Sequence, residues 1–266
     1  MDRNEAMLRE LNLYPQWTLR APELAAVSLA PTHTPAIESA AQNATLALPP
    51  AVTDAIPTTN LPVDRALQAS VASLITAVDF APAKTWPELM LQVRDCQRCG
   101  LRAGCTQTVF GVGDTQADWL FVGDMPRADE ELQGEPFAAE IGHLLDNMLA
   151  AMQLTRDNNV YLANVVKCRP AEDTHPAAAE IAQCLPYLQR QIELVQPKVI
   201  VALGKLAASN LLGEELALDE LRGVLHDYQG IPVIVTYHPA YLLRKPTAKA
   251  QVWQDLCFAL DVMSAA

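Results

Sequence analysis

The chain has 266 residues and a mass of 29.0 kDa, and half of its residues are hydrophobic, which suffices for one domain with an appendage or two small domains. Its formal net charge of -12 argues against non-specific binding to nucleic acid, although a small DNA footprint needs only a local basic rim. No apolar run approaches the roughly 20 residues that cross a bilayer, and the first residues do not resemble a secretory signal. We therefore expect a cytoplasmic protein with no membrane partner, whose six cysteines are reduced, metal-bound or inert.

The sequence divides into three regions. Residues 1–22 contain a short island with Leu8 and Leu11 on one helical face, too small to fold alone, which predicts a partner-binding peptide or a segment that packs back on its own domain. Residues 23–84 are rich in Ala, Pro, Thr and Leu, and their prolines interrupt helices, so this stretch is predicted to be a largely disordered linker. Residues 85–266 form the predicted folded domain.

An alternating α/β pattern begins after Trp86. Four short apolar runs are typical of buried strands: 119–122, 160–163, 199–203 and 231–235. Helices are expected at about 141–152, 177–195, 205–212 and 247–263. This alternation predicts a three-layer α/β/α sandwich with a mostly parallel four-stranded sheet, and ligands of such sheets bind at the carboxyl ends of the strands.

Polar residues follow three of these strands. Asp124 comes directly after the first strand, Asn164 after the second and His238 after the fourth, while Phe137 lies in a loop behind Asp124. The surrounding segments read GDMPR at 123–127, GEPF at 134–137, NVVKCRP at 164–170 and HPA at 238–240. A carboxylate, an aromatic ring, an amide and an imidazole are thus expected at one rim of the sheet.

Four cysteines form two spaced pairs: Cys96 with Cys99, and Cys168 with Cys184. Four converging thiolates can hold a metal centre. Cys105 is close enough to replace Cys99 as a ligand, whereas Cys257, on the amphipathic last helix, is expected to be a buried small hydrophobe. Spacing alone leaves both structural zinc and an iron–sulfur cluster open.

These segments and both cysteine pairs resemble the family 4 uracil-DNA glycosylases, from about Cys96 to the last helix. The family pattern reads Gly-Glu-x-Pro-Gly, Gly-x-Pro-Phe, Asn-x-x-Lys-Cys-Arg-Pro and His-Pro-Ser or His-Pro-Ala. The resemblance implies a uracil-DNA-glycosylase-like fold and a base excision repair enzyme that flips uracil out of DNA and hydrolyses its N-glycosidic bond. It also implies a structural [4Fe–4S] cluster held by four cysteines, Cys96, Cys99, Cys168 and Cys184, and it favours this cluster over zinc.

The resemblance further implies roles for the four strand-end and loop residues. Phe137 would stack on the pyrimidine, and Asn164 would read the O4/N3 edge of uracil. His238 would donate a hydrogen bond to the developing oxyanion at O2, and Asp124 would position water and offset the positive charge of the sugar. Taken singly, Asp124 and Asn164 are also suited to cap turns, and a phenylalanine or a lone histidine is more often structural.

Three departures from the family pattern fall in one loop. Asp124 replaces a glutamate, Arg127 replaces a glycine, and Ala138 with Ala139 replaces Val-Gly. The shorter carboxylate is expected to change the placement of water. At Arg127 a Cβ is expected where the backbone needs a special conformation.

A second resemblance concerns the N-terminal island. Residues 11–22, LNLYPQWTLRAP, resemble the N-terminal peptide of the psi subunit of the bacterial polymerase III clamp loader, which binds the chi subunit. This implies a chi subunit as a partner of residues 7–22. It also supports an alternative from another class, a non-catalytic psi-like clamp-loader or replication scaffold protein on a glycosylase fold.

Overall fold

The computed structural model describes residues 83–213 and 216–265. The predicted partner-binding peptide and all of the predicted linker up to residue 82 lie outside the described residues. The helices are α1 (Trp86–Arg94), α2 (Leu101–Gly104), α3 (Ala128–Gln133), α4 (Ala139–Ala151), α5 (Ala178–Val195), α6 (Lys205–Leu212), α7 (Leu218–Leu221), α8 (Pro239–Arg244) and α9 (Lys249–Ala265). The strands are β1 (Val112–Gly113), β2 (Trp119–Gly123), β3 (Val160–Asn164), β4 (Val199–Leu203), β5 (Leu225–Tyr228) and β6 (Ile231–Thr236).

The strands form one sheet in the order β1-β3-β2-β4-β6-β5. Its four central strands, β3, β2, β4 and β6, are mutually parallel and coincide with the four apolar runs of the sequence. The two outer strands are antiparallel and were not predicted. β1 has only two residues, and β5 is half exposed and therefore lacks an apolar run.

A two-residue turn joins the antiparallel strands β5 and β6. This turn is the sequence feature from which the hairpin of β5 and β6 could have been predicted. Gln229 and Gly230 have φ values of 53° and 88°, the backbone conformation of the tight turns that connect antiparallel strands. Gly230 adopts it without cost, because it has no Cβ.

Helices cover both faces of the sheet, as the alternating pattern predicts. Side chains of one face, including Leu120, Val122 and Ile200, pack with residues of α1, α5, α6 and α7. Side chains of the other face, including Phe121 and Val201, pack with residues of α4, α8 and α9. The predicted three-layer α/β/α sandwich is confirmed, with a core in each of the two spaces between the layers.

Four of these helices were predicted, with boundaries within a few residues of those observed. α9 begins at Lys249 instead of 247 because a 3-10 turn, Pro246–Ala248, precedes it. Five described helices were missed. α2, α3, α7 and α8 have four to six residues, which show too little periodicity, and α1 has only nine. Among the described residues, no helix has the length and apolar character needed to cross a membrane.

The register of the parallel strands determines where the polar residues meet. Gly123 at the end of β2 pairs with Asn164 at the end of β3, and Thr236 at the end of β6 pairs with Leu203. Because parallel strands end at the same edge, the residues that follow them, Asp124 and His238 among them, lie along one rim.

Candidate active site

A cavity of about 320 Å³ opens at the carboxyl edge of the sheet. Both Asp124 and His238 line it, together with Arg127, Gly204 and Arg244. Two of the predicted site residues, Phe137 and Asn164, do not line this cavity, and each is 1% exposed. The structure thus places two of the four residues on an open pocket and two in the packed layer beside it.

Asp124 is held by the start of α6. Its Oδ1 accepts a hydrogen bond from the Ala207 N–H at 3.0 Å, so one carboxylate oxygen also serves as a cap. Burial raises the pKa of Asp124 to about 6, and the Ala207 N–H opposes this shift. A Cβ on Gly204, whose φ is +105°, would lie 2.8 Å from Oδ2, so only glycine permits this close approach.

Asn164 carries a buried side-chain amide that is unsatisfied. Neither its Oδ1 nor its Nδ2 has a hydrogen-bond partner among the described residues. An unpaired buried polar group costs about 1–3 kcal/mol, so folding alone does not favour an amide at this position. The group has the free donors and acceptor that a polar ligand requires.

Gly123 brings Asn164 and Phe137 together. A Cβ on Gly123 would lie 2.4 Å from Oδ1 of Asn164 and 2.6 Å from Cζ of Phe137. The amide and the ring therefore flank one glycine, on which no side chain fits.

Phe137 stacks on His238. Their ring centroids are 5.6 Å apart and their planes are inclined by 28°. This contact connects the buried pair, Phe137 and Asn164, to the cavity that His238 lines.

His238 is held as a neutral imidazole. Its Nδ1 accepts a hydrogen bond from the Ala240 N–H at 3.1 Å, at the start of α8. Burial lowers its pKa to about 3, and the positive charges of Arg127 and Arg244 lower it further. A neutral ring that accepts at Nδ1 carries its proton on Nε2, which is then a donor.

The four paired cysteines line a second, separate pocket. Cys96 and Cys99 lie between α1 and α2, Cys168 follows β3, and Cys184 lies on α5. All are free, and the Lys167 N–H donates a hydrogen bond to the Cys184 Sγ at 3.2 Å. Such N–H···S bonds favour the thiolate form that iron and zinc require.

The chemistry of this pocket therefore fits a thiolate-bound metal centre. Within residues 83–213 and 216–265, however, no group of three or more His, Cys, Asp or Glu side chains is arranged to hold a metal ion. The four thiols share a pocket without being drawn onto a single point. Burial raises the pKa of Cys184 to about 11, and the charge and the backbone N–H of Lys167 oppose this shift.

The remaining two cysteines do not line this pocket, although the thiol of Cys105 contacts that of Cys168. Cys105 does not line the pocket; its Sγ donates to the Gln107 carbonyl at 3.1 Å, which leaves Cys99 as the pocket residue of the two rivals. Cys257 is half-buried and packs against the core cluster that includes α9, so it is less buried than expected.

Comparison with known proteins agrees with this arrangement. The family model described as the uracil DNA glycosylase superfamily matches residues 110–257, more than half of the chain. The type-4 uracil-DNA glycosylase of Archaeoglobus fulgidus is 37% identical over 176 residues, which are 63% of this chain and 88% of the relative.

The chain belongs to the type-4 uracil-DNA glycosylase family.

Two further type-4 uracil-DNA glycosylases show the same relationship. The protein of Thermotoga maritima is 39% identical over 155 residues, 58% of this chain and 80% of the relative. That of Pyrobaculum aerophilum is 34% identical over 174 residues, 62% of this chain and 87% of the relative.

Two residues that hold the candidate site were not predicted from the sequence. Glu130 is 3% exposed, and its carboxylate accepts hydrogen bonds from the Phe137 N–H and, at 2.7 Å, from the Arg127 N–H. Arg156 donates to the Phe137 carbonyl at 2.8 Å and forms an ion pair with Asp146. The sequence signal for Glu130 that was missed is its position in the first turn of α3. A carboxylate there accepts a hydrogen bond from the backbone N–H of the residue just before the helix, which is Arg127.

Lys167 links the two pockets. Its fully buried Nζ donates to the Asn164 carbonyl at 2.7 Å and to Gln191 Oε1 at 2.6 Å, while its backbone N–H binds the Cys184 Sγ. Burial lowers the pKa of Lys167 to about 7. One residue, Lys167, thus contacts both the backbone of Asn164 and a cysteine of the second pocket.

The departures from the family pattern have a different effect from the one expected. Arg127 has φ −105° and ψ 178°, an extended conformation that any residue adopts, so the predicted strain at this position is wrong. Strain lies instead at Ala139, where φ is +51°. Phe137 also has a positive φ, of +56°, and its backbone is held there by Glu130 and Arg156.

Proposed function

We propose that this chain is a DNA repair glycosylase that flips uracil out of DNA and hydrolyses its N-glycosidic bond, leaving an abasic site. Family membership supports the activity. The single observation that carries it to this chain is the buried, unpaired amide of Asn164 beside Phe137 and next to the cavity of Asp124 and His238.

Recognition of the base would depend on Asn164 and Phe137. Uracil presents a carbonyl acceptor at O4 and a donor at N3, which match the donor and acceptor of one amide. Cytosine has an amino group at that position and an acceptor at N3, so it would leave the amide mismatched. Phe137 would provide the stacking face; its ring now lies against His238, so we expect it to shift when a base enters.

Bond cleavage would depend on His238 and Asp124. As the bond between N1 and C1′ breaks, its electron pair passes to the uracil ring and negative charge grows on O2, where the Nε2–H of His238 would donate a hydrogen bond. The sugar becomes positive, and the Asp124 carboxylate would stabilise it and orient a water molecule. The water oxygen adds to C1′ as one of its protons passes to that carboxylate.

The cysteine pocket would hold a [4Fe–4S] cluster through Cys96, Cys99, Cys168 and Cys184, with zinc as the alternative for the same thiolates. When bound, the cluster would supply a structural cross-link between the entry to the domain, the loop after β3 and α5. Hydrolysis of the glycosidic bond requires no electron transfer, so a structural role is sufficient.

Three further expectations go with this proposal. A chi subunit remains the predicted partner of residues 7–22, a cytoplasmic location remains a prediction, and the non-catalytic scaffold remains the alternative. Deletion of residues 1–25 should abolish binding to a chi subunit in a pull-down; unchanged binding would reject that partner.

The decisive experiment is a single-turnover assay on a uracil-containing oligonucleotide, with anaerobically purified protein whose metal content has been measured. We expect abasic product from the wild type and much less from Asn164→Ala and His238→Ala. An oligonucleotide with thymine in place of uracil is the control. Absence of abasic product from fully metal-loaded protein would reject the enzyme and favour the scaffold.

A further inference from the structure

Three unpaired cations surround the active-site cavity. Arg127, Lys205 and Arg244 all line it, and among the described residues none of the three side chains makes a hydrogen bond or an ion pair. Lys205 and Arg244 are exposed, and Arg127 is partly exposed. Two carboxylates, Asp124 and Asp219, line the same cavity, so its cations exceed its carboxylates by one. In a chain with a net charge of -12, this local excess of positive charge indicates an anionic ligand.

Arg127 and Arg244 lie on one side of the cavity. Both also line a second cavity, of about 420 Å³, that borders α3, α4 and α8. This second cavity contains three carboxylates, Asp129, Glu140 and Asp173, none of which lines the active-site cavity. The charged side chains that the two cavities share are therefore the two arginines, Arg127 and Arg244.

Lys205 lies on the other side. It also lines a third cavity, of about 670 Å³, between α5 and α6, where no aspartate or glutamate is present among the lining residues. α4 and α8 pack on one face of the sheet and α5 and α6 on the opposite face. The two neighbouring cavities consequently lie over opposite faces, with the active-site cavity at the sheet edge between them.

This arrangement matches the requirements of a nucleic-acid strand with one flipped nucleotide. Such a nucleotide has a phosphodiester on each side, and guanidinium and ammonium groups are the usual partners of phosphate oxygens. We propose that the DNA backbone crosses the carboxyl edge of the sheet, with one flanking phosphodiester bound by Arg127 and Arg244 and the other by Lys205. The inference rests on the proposed function, because it assigns the substrate backbone to that same site.

Arg127 has a particular place in this path. It occupies the position of the family glycine, and its extended backbone carries no strain. Its charge acts on the carboxylates of Asp124 and Glu130, but among the described residues its side chain makes no hydrogen bond or ion pair with them. The departure from the family pattern is thus a gain of a phosphate-binding group at the cavity rim.

The first test is the salt dependence of binding. The probe is a single-stranded oligonucleotide with one 2′-fluoro-2′-deoxyuridine, a nucleotide chosen to resist cleavage, and the measurement is fluorescence anisotropy at several NaCl concentrations. Each of the variants Arg127→Gln, Arg244→Gln and Lys205→Gln should lower the slope of log Kd against log salt by about 0.7, the value for one phosphate contact on a single strand. Unchanged slopes would overturn the proposal.

The matched control is Lys198→Gln, which removes the same charge at the opposite edge of the sheet. Lys198 precedes β4, is 55% exposed and pairs with Asp118 at 3.3 Å. The slope of log Kd against log salt for Lys198→Gln should equal that of the wild type. An equal loss of slope in this variant would show a general charge effect and would also overturn the proposal.

The second test assigns each cation to a phosphate. One flanking phosphodiester at a time is replaced by a neutral methylphosphonate, and the loss of affinity is compared with that of each variant. If Arg127 binds the replaced phosphate, the losses of affinity caused by Arg127→Gln and by that methylphosphonate should not be additive. The loss caused by Lys205→Gln should be additive with this replacement, and it should be non-additive with replacement of the phosphodiester on the other side of the flipped nucleotide. Full additivity for all pairs would reject the path.

Excision of uracil is measured separately on a cleavable oligonucleotide. A protein that binds with the expected slopes but releases no uracil would reject the proposed function and leave the backbone path supported. A protein that releases uracil with unchanged slopes would reject the path alone.

Discussion

The Nδ1 of His238 accepts a hydrogen bond from the backbone N–H of Ala240, the second residue of α8, at 3.1 Å. The start of the helix thereby places the remaining ring proton on Nε2, on the side of the imidazole that is left to a ligand. The same histidine stacks on Phe137, so the ring that carries the Nε2 proton is in contact with a second residue of the candidate site.

The pH dependence of excision should follow Asp124. Burial raises its pKa to about 6, and its charged form, which the mechanism requires, increases as pH rises through that value. We expect the single-turnover rate to rise about tenfold per pH unit below pH 6 and to level off above it. The pKa of His238, at about 3, gives no further step near neutral pH.

Asp124→Asn is the control for this profile. It should be slow and should lose the step near pH 6, because no carboxyl group remains to titrate. A step near pH 6 that persists in Asp124→Asn and disappears in His238→Gln would assign the titration to the histidine and contradict the prediction.

Asn164→Ala should separate activity from stability. The loss of the base-reading amide should lower the single-turnover rate about 100-fold, equivalent to about 2.7 kcal/mol. The free energy of unfolding should change by less than about 1 kcal/mol, because removal of an unsatisfied amide offsets the loss of packing.

The matched control is Gln191→Ala, also a buried amide. Gln191 donates to the Phe110 carbonyl at 2.9 Å and accepts from Lys167, so its removal should cost about 2–4 kcal/mol in denaturant unfolding. Equal destabilisation of the two variants would show that the amide of Asn164 is not free.

The cysteines should divide into two groups by metal content. Replacement by serine of Cys99, Cys168 or Cys184 should lower the bound metal, because these side chains line the common pocket. Cys105→Ser and Cys257→Ser should retain it, since neither side chain lies on that pocket. Elemental analysis and visible absorbance of anaerobically purified protein measure this and separate iron–sulfur from colourless zinc. Retention in Cys99→Ser with loss in Cys105→Ser would reverse the assignment of these two residues.

Ala139→Gly should stabilise the protein by about 1 kcal/mol. Ala139 is exposed and has φ +51°, a conformation that costs an L-residue about 1–2 kcal/mol and glycine nothing. Ala138→Gly is the neighbouring control: its φ is −92°, so glycine there should be destabilising. Thermal unfolding measures both, and a lower melting temperature for Ala139→Gly would contradict the prediction.

The pattern of the sequence was sufficient to predict those parts of the structure that depend on local chemistry. Buried parallel strands are continuous apolar runs, so β2, β3, β4 and β6 could be predicted, and strand ends in a parallel sheet locate polar residues such as Asp124 and His238. The outer strands could not be predicted in this way, because an edge strand is stabilised by one neighbour and needs no apolar run.

The details of the site depended on contacts between residues far apart in the chain. The motif predicted that Asn164 would be important, but only packing against Gly123 and Phe137 shows that its amide is left unpaired. Arg156 holds the Phe137 loop from nineteen residues away, and a sequence motif contains no information about that distance. The sequence by itself determined the residue types, the strands and the edge at which they meet. Tertiary structure alone decided which polar groups are satisfied, how each pKa is shifted and where the unpaired cations lie, because all three depend on burial and on neighbours that folding brings together.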